Sequence, residues 1–209
     1  TTTRNIVSCT SNFLWSYSMS TNKFDMKIFK LLIIVLITGN SGAMAQGIPT
    51  RSRQANIDLI DLTNYYTSSL ENNWLIRPGE NLKEFPKGLQ ILAQSAFDIR
   101  GVIQLAGKAE INKRIVTEVK GITVKNVGTS LHFLQGAVGI EKDDTQIGEY
   151  ILHFANGKTV TIPIVYQRSV RDWFIKTGDQ IPTNAEVAWT GQNEASQKTG
   201  STVQIYNYT

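Results

Sequence analysis

The sequence predicts an all-β fold, an antiparallel β-sandwich or barrel, over residues 57–209 of this 209-residue chain. Three observations predict it. Apolar residues recur with a period of two in short runs, Gly, Asn and Asp separate the runs, and no amphipathic helical stretch of three turns follows residue 45. Several short strands with turn signals between them are typical of sandwiches and barrels.

The clearest pair of strands lies in residues 150–166, which read YILHFANGKTVTIPIVY. Two β-rich runs flank Asn156-Gly157, the dipeptide that best tolerates the positive φ angles of a type I′ turn. The sequence therefore predicts a hairpin with a two-residue turn here. Pro163 has no N–H to donate to a ladder, so this point is predicted to lie at a sheet edge or a bulge.

Further strands are predicted on both sides of this hairpin. Residues 97–105 alternate around Gly101, which indicates a bulge. The remaining strands are predicted at residues 111–119, within 121–133, at 185–189 and at 202–208. Only residues 131–138 have a short helix as the alternative. Strand periodicity continues up to Thr209, and because domains usually finish a strand before they stop, we expect a truncated domain that lacks one closing strand.

Residues 26–45 have the build of a secretory signal peptide. Two lysines form a positive region, residues 31–37 are an unbroken apolar run, and Ala43-Met44-Ala45 is the small-x-small pattern that signal peptidase cuts after. The apolar run is too short for a permanent membrane helix, which needs about 20 residues. We expect a secreted or periplasmic mature chain that begins at Gln46 and has no transmembrane span.

The 25 residues before Met26 are predicted to be upstream translation from a start codon assigned too early. The alternative is a disordered N-terminal extension. Residues 46–56 are predicted to be a linker, so the folded domain is expected at residues 57–209.

Charge and cysteine content exclude several classes of function. The whole chain has a formal net charge of +4, but four basic residues and one acidic residue precede Gln46, which leaves about +1. No basic run follows that would track a phosphate backbone, so nucleic acid is not an expected partner. The only cysteine is Cys9, so the mature chain is expected to have no disulfide, thiolate metal ligand or cysteine nucleophile.

A series of motifs resembles a known family. They are FPKGLQILAQSAFDIRGVIQL, SLHFLQGA, IGEYILHFANGKTVTIPIVYQRSVRDWF and VAWTGQN, spread over residues 57–208. The series resembles an extracellular β-sandwich domain of secreted and membrane-anchored proteins of environmental bacteria, and the hairpin with its VRDW corner is the specific part. The resemblance implies a galactose-binding-like jelly roll, often an accessory module, with no catalytic residues to carry over.

Two departures from that family pattern matter. Gln135 stands where the family tends to have a second His, which weakens a metal site on that strand. The family usually continues after the last strand with a Trp and an Asn-Pro, which this chain lacks, and this supports the expectation of a truncated domain.

His132 and His153 are the only histidines, and each lies in a β run between large apolar residues. If their strands were neighbours, the two imidazoles with Asp98 or Glu149 would suit a divalent metal. The alternative, that each His caps a core edge with one hydrogen bond, is favoured because no H-x-H or HExxH spacing occurs.

A Ca²⁺ ion bound by Asp143 and Asp144 with main-chain carbonyls is a second metal hypothesis, and turn initiation is its alternative. We therefore predict no metal and no cofactor, with His132, His153, Asp143 and Asp144 as weak candidates.

Catalysis is not predicted. No G-x-S-x-G motif occurs, and Ser95, Ser130 and Ser169 lack a context that marks an activated nucleophile. Carboxylates for glycoside hydrolysis would have to come from the polar loop at Asp143-Asp144 and from Glu149, and loop residues of this kind most often start turns.

Aromatic residues are the better indication of function. Sugars pack a flat face on an exposed ring while their hydroxyls need fixed polar partners, and Trp173 follows Arg171-Asp172 directly. The predicted ligand-binding residues are Tyr166, Arg171, Asp172, Trp173 and Trp189. The alternative is that both tryptophans fill the core and that Arg171 and Asp172 form a structural ion pair. The exposure of the two indole rings discriminates between these hypotheses.

The sequence thus predicts an exported, non-catalytic recognition module that binds carbohydrate or another cell-surface ligand, such as a cell-surface protein. The alternative is a structural or protein-interaction module of a larger extracellular assembly.

Overall fold

The computed structural model describes residues 47–73, 78–107, 116–124 and 127–209, together with the backbone of residues 3–6 and 16–20. The predicted signal peptide at residues 26–45 and the first part of the predicted strand at residues 111–119 lie outside the described residues. No helix of the described part is both long and apolar enough to cross a membrane.

The described part contains eleven strands and one helix of six residues, so the all-β class is confirmed. The elements, in chain order, are β1 (Thr3–Ile6), β2 (Ser16–Ser20), β3 (Gly88–Leu92), β4 (Ser95–Ile99), β5 (Thr123–Val124), β6 (Ser130–Gln135), β7 (Gln146–His153), β8 (Thr159–Val165), β9 (Phe174–Ile175), β10 (Ala185–Gly191), α1 (Glu194–Thr199) and β11 (Thr202–Tyr208). Residues 131–138, for which a helix was the alternative, mostly belong to β6.

Two larger sheets and one hairpin make up the fold, and every pair of named strands is antiparallel. The central sheet has the order β10-β11-β6-β2, with β9 also on β11. The outer sheet has the order β5-β1-β7-β8, and among the described strands β3 pairs only with β4.

β1 and β2 each belong to one of the two larger sheets. β1 lies between β5 and β7, and β2 pairs with β6 so that Ser18 is opposite His132. The assignment of residues 1–25 to upstream translation or a disordered extension stays a prediction, as does the signal peptide that follows it.

The central sheet is buried on both faces where β6 and β11 meet. On one face, Phe133 of β6 stacks on Tyr150 of the outer sheet, with ring centroids 3.9 Å apart. The next residue of β6, Leu134, belongs to a second apolar cluster with Phe97 of β4 and Trp173. Since neighbouring residues of a strand point to opposite faces, β6 contributes to two cores, with the outer sheet on one side and the β3–β4 hairpin on the other.

The predicted hairpin is present as β7 and β8, but its turn differs from the predicted one. The Phe154 N–H donates to Lys158 O at 2.8 Å, the Gly157 N–H donates to Phe154 O at 2.9 Å, and of the loop residues only Gly157 has a positive φ, +85°. This is a three-residue loop in which a left-handed glycine follows an ordinary turn, so the type I′ prediction was wrong. Pro163 lies in β8, which is the last strand of its sheet among the described residues, and this confirms the predicted edge position.

Gly101 has a different role from the predicted bulge. β4 ends at Ile99, and the backbone of Val102 then pairs with Ser68. A Cβ atom at Gly101 would lie 2.9 Å from Cγ of Tyr66, so the glycine is needed where the Tyr66 ring packs against the backbone.

Candidate functional site

A pocket of about 600 Å³ opens between the tip of the β3–β4 hairpin and the central sheet. We call it the His132 pocket. Its walls are residues 93–96 of the hairpin, His132 of β6, residues 183–186 at the start of β10, and Asn207 and Thr209 at the end of β11.

Strand alternation and register place His132 in this wall. Within β6, His132 shares a face with Leu134, the face that the hairpin covers, while Phe133 points to the outer sheet. Asn207 of β11 is opposite Leu134, and the antiparallel register brings Thr209 beside His132.

The Nδ1 atom of His132 is the point where the polar groups of the pocket converge. It lies 3.0 Å from Ser95 Oγ, 2.9 Å from Thr209 Oγ1 and 3.5 Å from Asn207 Nδ2. A ring nitrogen carries either one proton or one lone pair, so it bonds well to only one of these groups at a time. At least one of the two hydroxyls therefore keeps hydrogen-bonding capacity that a bound molecule can use.

The other ring nitrogen faces a third hydroxyl. Nε2 of His132 lies 3.2 Å from Ser130 Oγ. A serine hydrolase needs a base that touches its serine and a third group, usually a carboxylate, that orients this base and stabilises the imidazolium. Ser95 and His132 supply the first contact, but a neutral hydroxyl stands where the carboxylate would be, so the arrangement suits hydrogen-bonding recognition better than nucleophilic attack.

The hairpin tip that forms one wall has a strained backbone. Leu92 pairs with Ser95, which leaves Ala93 and Gln94 as a two-residue loop with φ angles of +44° and +60°. Two positive φ angles are the requirement of a type I′ loop, which Asn-Gly normally meets. For residues with a Cβ the left-handed conformation costs on the order of 1 kcal/mol or more each.

The charge of the pocket is low and negative. Among the described residues that line it, Glu186 is the only acidic side chain and no Lys or Arg is present. Asn207 is buried, and its Oδ1 atom has no hydrogen-bond partner among the described residues. The lining therefore consists mainly of small neutral polar groups around one imidazole.

The five predicted ligand-binding residues lie elsewhere. The Trp173 side chain is 0% exposed and Tyr166 is 1% exposed. The Trp173 ring stacks on Phe174 at 5.0 Å inside the second cluster. A ring in this position offers no free face to a sugar, so the burial favours the structural hypothesis for Trp173 and Tyr166.

The other three predicted residues, Trp189, Arg171 and Asp172, also make contacts within the chain. The Trp189 ring packs edge-on against Phe85 at 5.1 Å and lies over Gly191, where a Cβ atom would overlap the indole. Arg171 donates to the carbonyl of Gln180 at 3.1 Å, and Asp172 accepts from the Phe174 N–H at 3.3 Å. None of the five predicted residues lines the His132 pocket.

The metal candidates are separated in the structure. His132 is in the central sheet and His153 is in the outer sheet, where its Nδ1 lies 3.1 Å from Thr159 Oγ1. Arg168 pairs with Asp144, and this hydrogen bond and charge lower the pKa of the Asp144 carboxyl. Among the described residues, no three His, Cys, Asp or Glu side chains are close enough to hold a metal ion.

Gln135, where the resembling family tends to have a histidine, has a structural role. Its Nε2 donates to Ser169 O at 2.8 Å and its Oε1 accepts from the Tyr150 hydroxyl, all inside the core. A buried amide that satisfies one donor and one acceptor in this way links the central and outer sheets.

Sequence reasoning named His132, Ser95 and Ser130 separately and missed that they meet. Alternation within β6 was a usable signal, because it puts His132 on the face opposite Phe133. Nothing local indicated that the β3–β4 tip or residues 183–186 would cover that face.

The fold and the site together define an all-β domain with a polar, imidazole-centred pocket. No protein-family model, curated protein or solved structure matches the chain. The resemblance to the extracellular sandwich family therefore stays a prediction.

Proposed function

We propose that this protein is an exported, non-catalytic recognition domain that binds carbohydrate in the His132 pocket. The proposal includes the finer fold type, a galactose-binding-like jelly roll, and a secreted or periplasmic location. The ligand class is the one that the sequence predicts. The proposed site is the His132 pocket and no longer the residues around Trp173.

One observation carries the proposal: the hydroxyls of Ser95 and Thr209 converge on a single ring nitrogen of His132. Such a set offers both donors and acceptors, which is what sugar hydroxyls require. A volume of about 600 Å³ lies within the ordinary range for small-molecule pockets.

The electrostatics of the pocket support a preference among sugars. Because Glu186 is the only acidic side chain among the described lining residues and no Lys or Arg accompanies it, an anionic sugar would be repelled. Neutral sugars and sugars with a free amine are the preferred ligands.

The test is a binding panel of gluco-, galacto-, manno-, N-acetylglucosamine, glucosamine and galacturonate oligosaccharides, followed by calorimetry. We expect at least one neutral or amine-bearing oligosaccharide to bind and galacturonate to bind more weakly. His132→Ala should weaken binding about tenfold or more, since one substitution removes the group that organises the hydroxyls.

His153→Ala is the matched control, because it changes the other histidine, in the outer sheet, and should leave binding unchanged. Equal binding by the two variants, or no binding by the wild type, would contradict the proposal. If the wild type hydrolysed a p-nitrophenyl ester and Ser95→Ala did not, the pocket would be catalytic and the proposed recognition role would be wrong.

A structural or protein-interaction role is the second candidate, and exposed apolar residues favour it. Ile91 of β3 is 78% exposed, Leu89 lies on the same side of the strand, and Ala96 is the exposed residue opposite Ile91. If this face mediates assembly, sedimentation should show concentration-dependent association of the wild type that Ile91→Ser abolishes. A wild type that stays monomeric at high concentration would rule out self-association through this face.

A further inference from the structure

We propose that Gln94 contacts the ligand directly and determines specificity, and that the strained tip of the β3–β4 hairpin persists because it holds Gln94 and Ser95 at the pocket. This inference rests on the proposed function of the His132 pocket and adds a residue role within it.

The geometry of the hairpin tip supports this proposal. The ladder between β3 and β4 is regular from Gly88↔Ile99 to Leu92↔Ser95, so only two residues remain to reverse the chain. Both take positive φ angles although neither is glycine. A longer, relaxed loop would shift Ser95 out of register and away from His132 Nδ1, which it now approaches to 3.0 Å.

The residue types at the tip are not the ones that such a loop prefers. A glycine at position 94 would meet the same backbone requirement without strain. The chain instead carries an exposed glutamine there, and Gln94 lines the pocket. Strained residues of this kind persist where something outweighs their cost, and they cluster at ligand sites.

The glutamine side chain also has the hydrogen-bonding groups that a sugar requires. A glutamine amide offers one carbonyl acceptor and two N–H donors. Adjacent sugar hydroxyls act at once as donors and acceptors, so a single amide can bind two of them. Together with Ser95 and His132, Gln94 completes a set of neutral polar groups around the cavity.

The experiment compares three variants in calorimetry with the oligosaccharide that the wild type binds most tightly on the panel. The double variant Ala93→Asn, Gln94→Gly gives the tip the preferred type I′ sequence, so it should raise Tm by about 2–4 °C. It should also weaken binding at least fivefold, because the amide is lost. Gln94→Ala keeps a Cβ and should weaken binding to the same extent without the gain in Tm.

Gln90→Ala is the control on the same hairpin, since Gln90 donates to Lys87 O and lies outside the pocket. It should bind like the wild type. If the double variant binds as tightly as the wild type, the role of Gln94 is overturned while the pocket stands. If the wild type binds no oligosaccharide of the panel, the proposed function fails and this inference fails with it.

Discussion

The β7–β8 hairpin and the β3–β4 hairpin are both antiparallel pairs with short loops. The two loops differ in whether a glycine occupies the positions with a positive φ angle. In β7–β8, the one left-handed position is taken by Gly157, where an added Cβ would meet nothing within 4 Å. In β3–β4, Ala93 and Gln94 take positive φ angles without glycine. Local sequence preference therefore accounts for the first loop and opposes the second.

Packing of its side chains stabilises the β3–β4 hairpin in spite of the strain in its loop. Phe97 and Ile99 of β4 are almost completely buried in the second apolar cluster. Burial of such a side chain contributes about 1.5–3 kcal/mol each, which exceeds a strain on the order of 1 kcal/mol or more per loop residue. A hairpin with a poor turn can therefore still form when its inner face belongs to the core.

The largest expected effect comes from a substitution that removes this packing. Phe97→Ala should lower the free energy of unfolding by about 3–5 kcal/mol, because it opens a cavity under the β3–β4 hairpin. Phe154→Ala, at the tip of the β7–β8 hairpin, should cost well under about 1 kcal/mol, since Phe154 is 42% exposed. Urea unfolding of both variants measures the difference. Similar losses would mean that the two hairpins depend on the core to the same degree.

The next effect concerns the loop that suits its sequence. Gly157→Val should destabilise the protein by roughly 1 kcal/mol or more, because a β-branched residue resists the φ of +85°. Lys158→Ala next to it is the control and should change little. Thermal melts decide the matter, and an unchanged Tm for the valine variant would show that the loop can rearrange at no cost.

Gln94→Gly should have the opposite sign. Relief of the left-handed strain is partly offset by the extra flexibility of glycine in the unfolded chain, so we expect a gain of about 0.5–1 kcal/mol. Gln90→Gly, in the middle of β3, should instead destabilise, because glycine weakens a strand interior. A loss of stability in both variants would contradict the assignment of strain to the tip.

The smallest expected effect is on pH dependence. Asp61 accepts from Thr63 and from Arg100, the residue after β4. Partial burial raises the pKa of the Asp61 carboxyl, but these hydrogen bonds outweigh it and the net pKa is lowered. A depressed folded pKa contributes stability that is present above the ordinary value of 3.8 and is lost as the pH falls through the folded pKa.

Tm measured between pH 7 and pH 3 tests this. Asp61→Asn should melt lower than the wild type at pH 7 and lose less on acidification. Asp144→Asn is the comparison on the β7–β8 side, where the carboxylate is fully exposed and paired with Arg168, so solvent should screen its effect. If Asp144→Asn changed the loss of Tm on acidification more than Asp61→Asn does, this ranking would be wrong.

The sequence by itself determined the features that act over a few residues. Period-two alternation and Asn156-Gly157 placed β7 and β8, and Pro163 marked the edge strand. The predicted strand at residues 202–208 has the bounds of β11. Such signals are local because strand period and turn chemistry depend on neighbours in the chain.

Only the tertiary structure decided what each strand face meets. His132 and Ser95 are 37 residues apart, and they form one pocket because the β3–β4 hairpin covers β6. Trp173 is buried for a related reason: the central sheet has a layer on both faces, so the indole that was a candidate for ligand binding lies in a second core. Periodicity shows that a strand has two faces but carries no information on which distant segment covers each face, and therefore neither the pocket nor the strained tip could be predicted from the sequence.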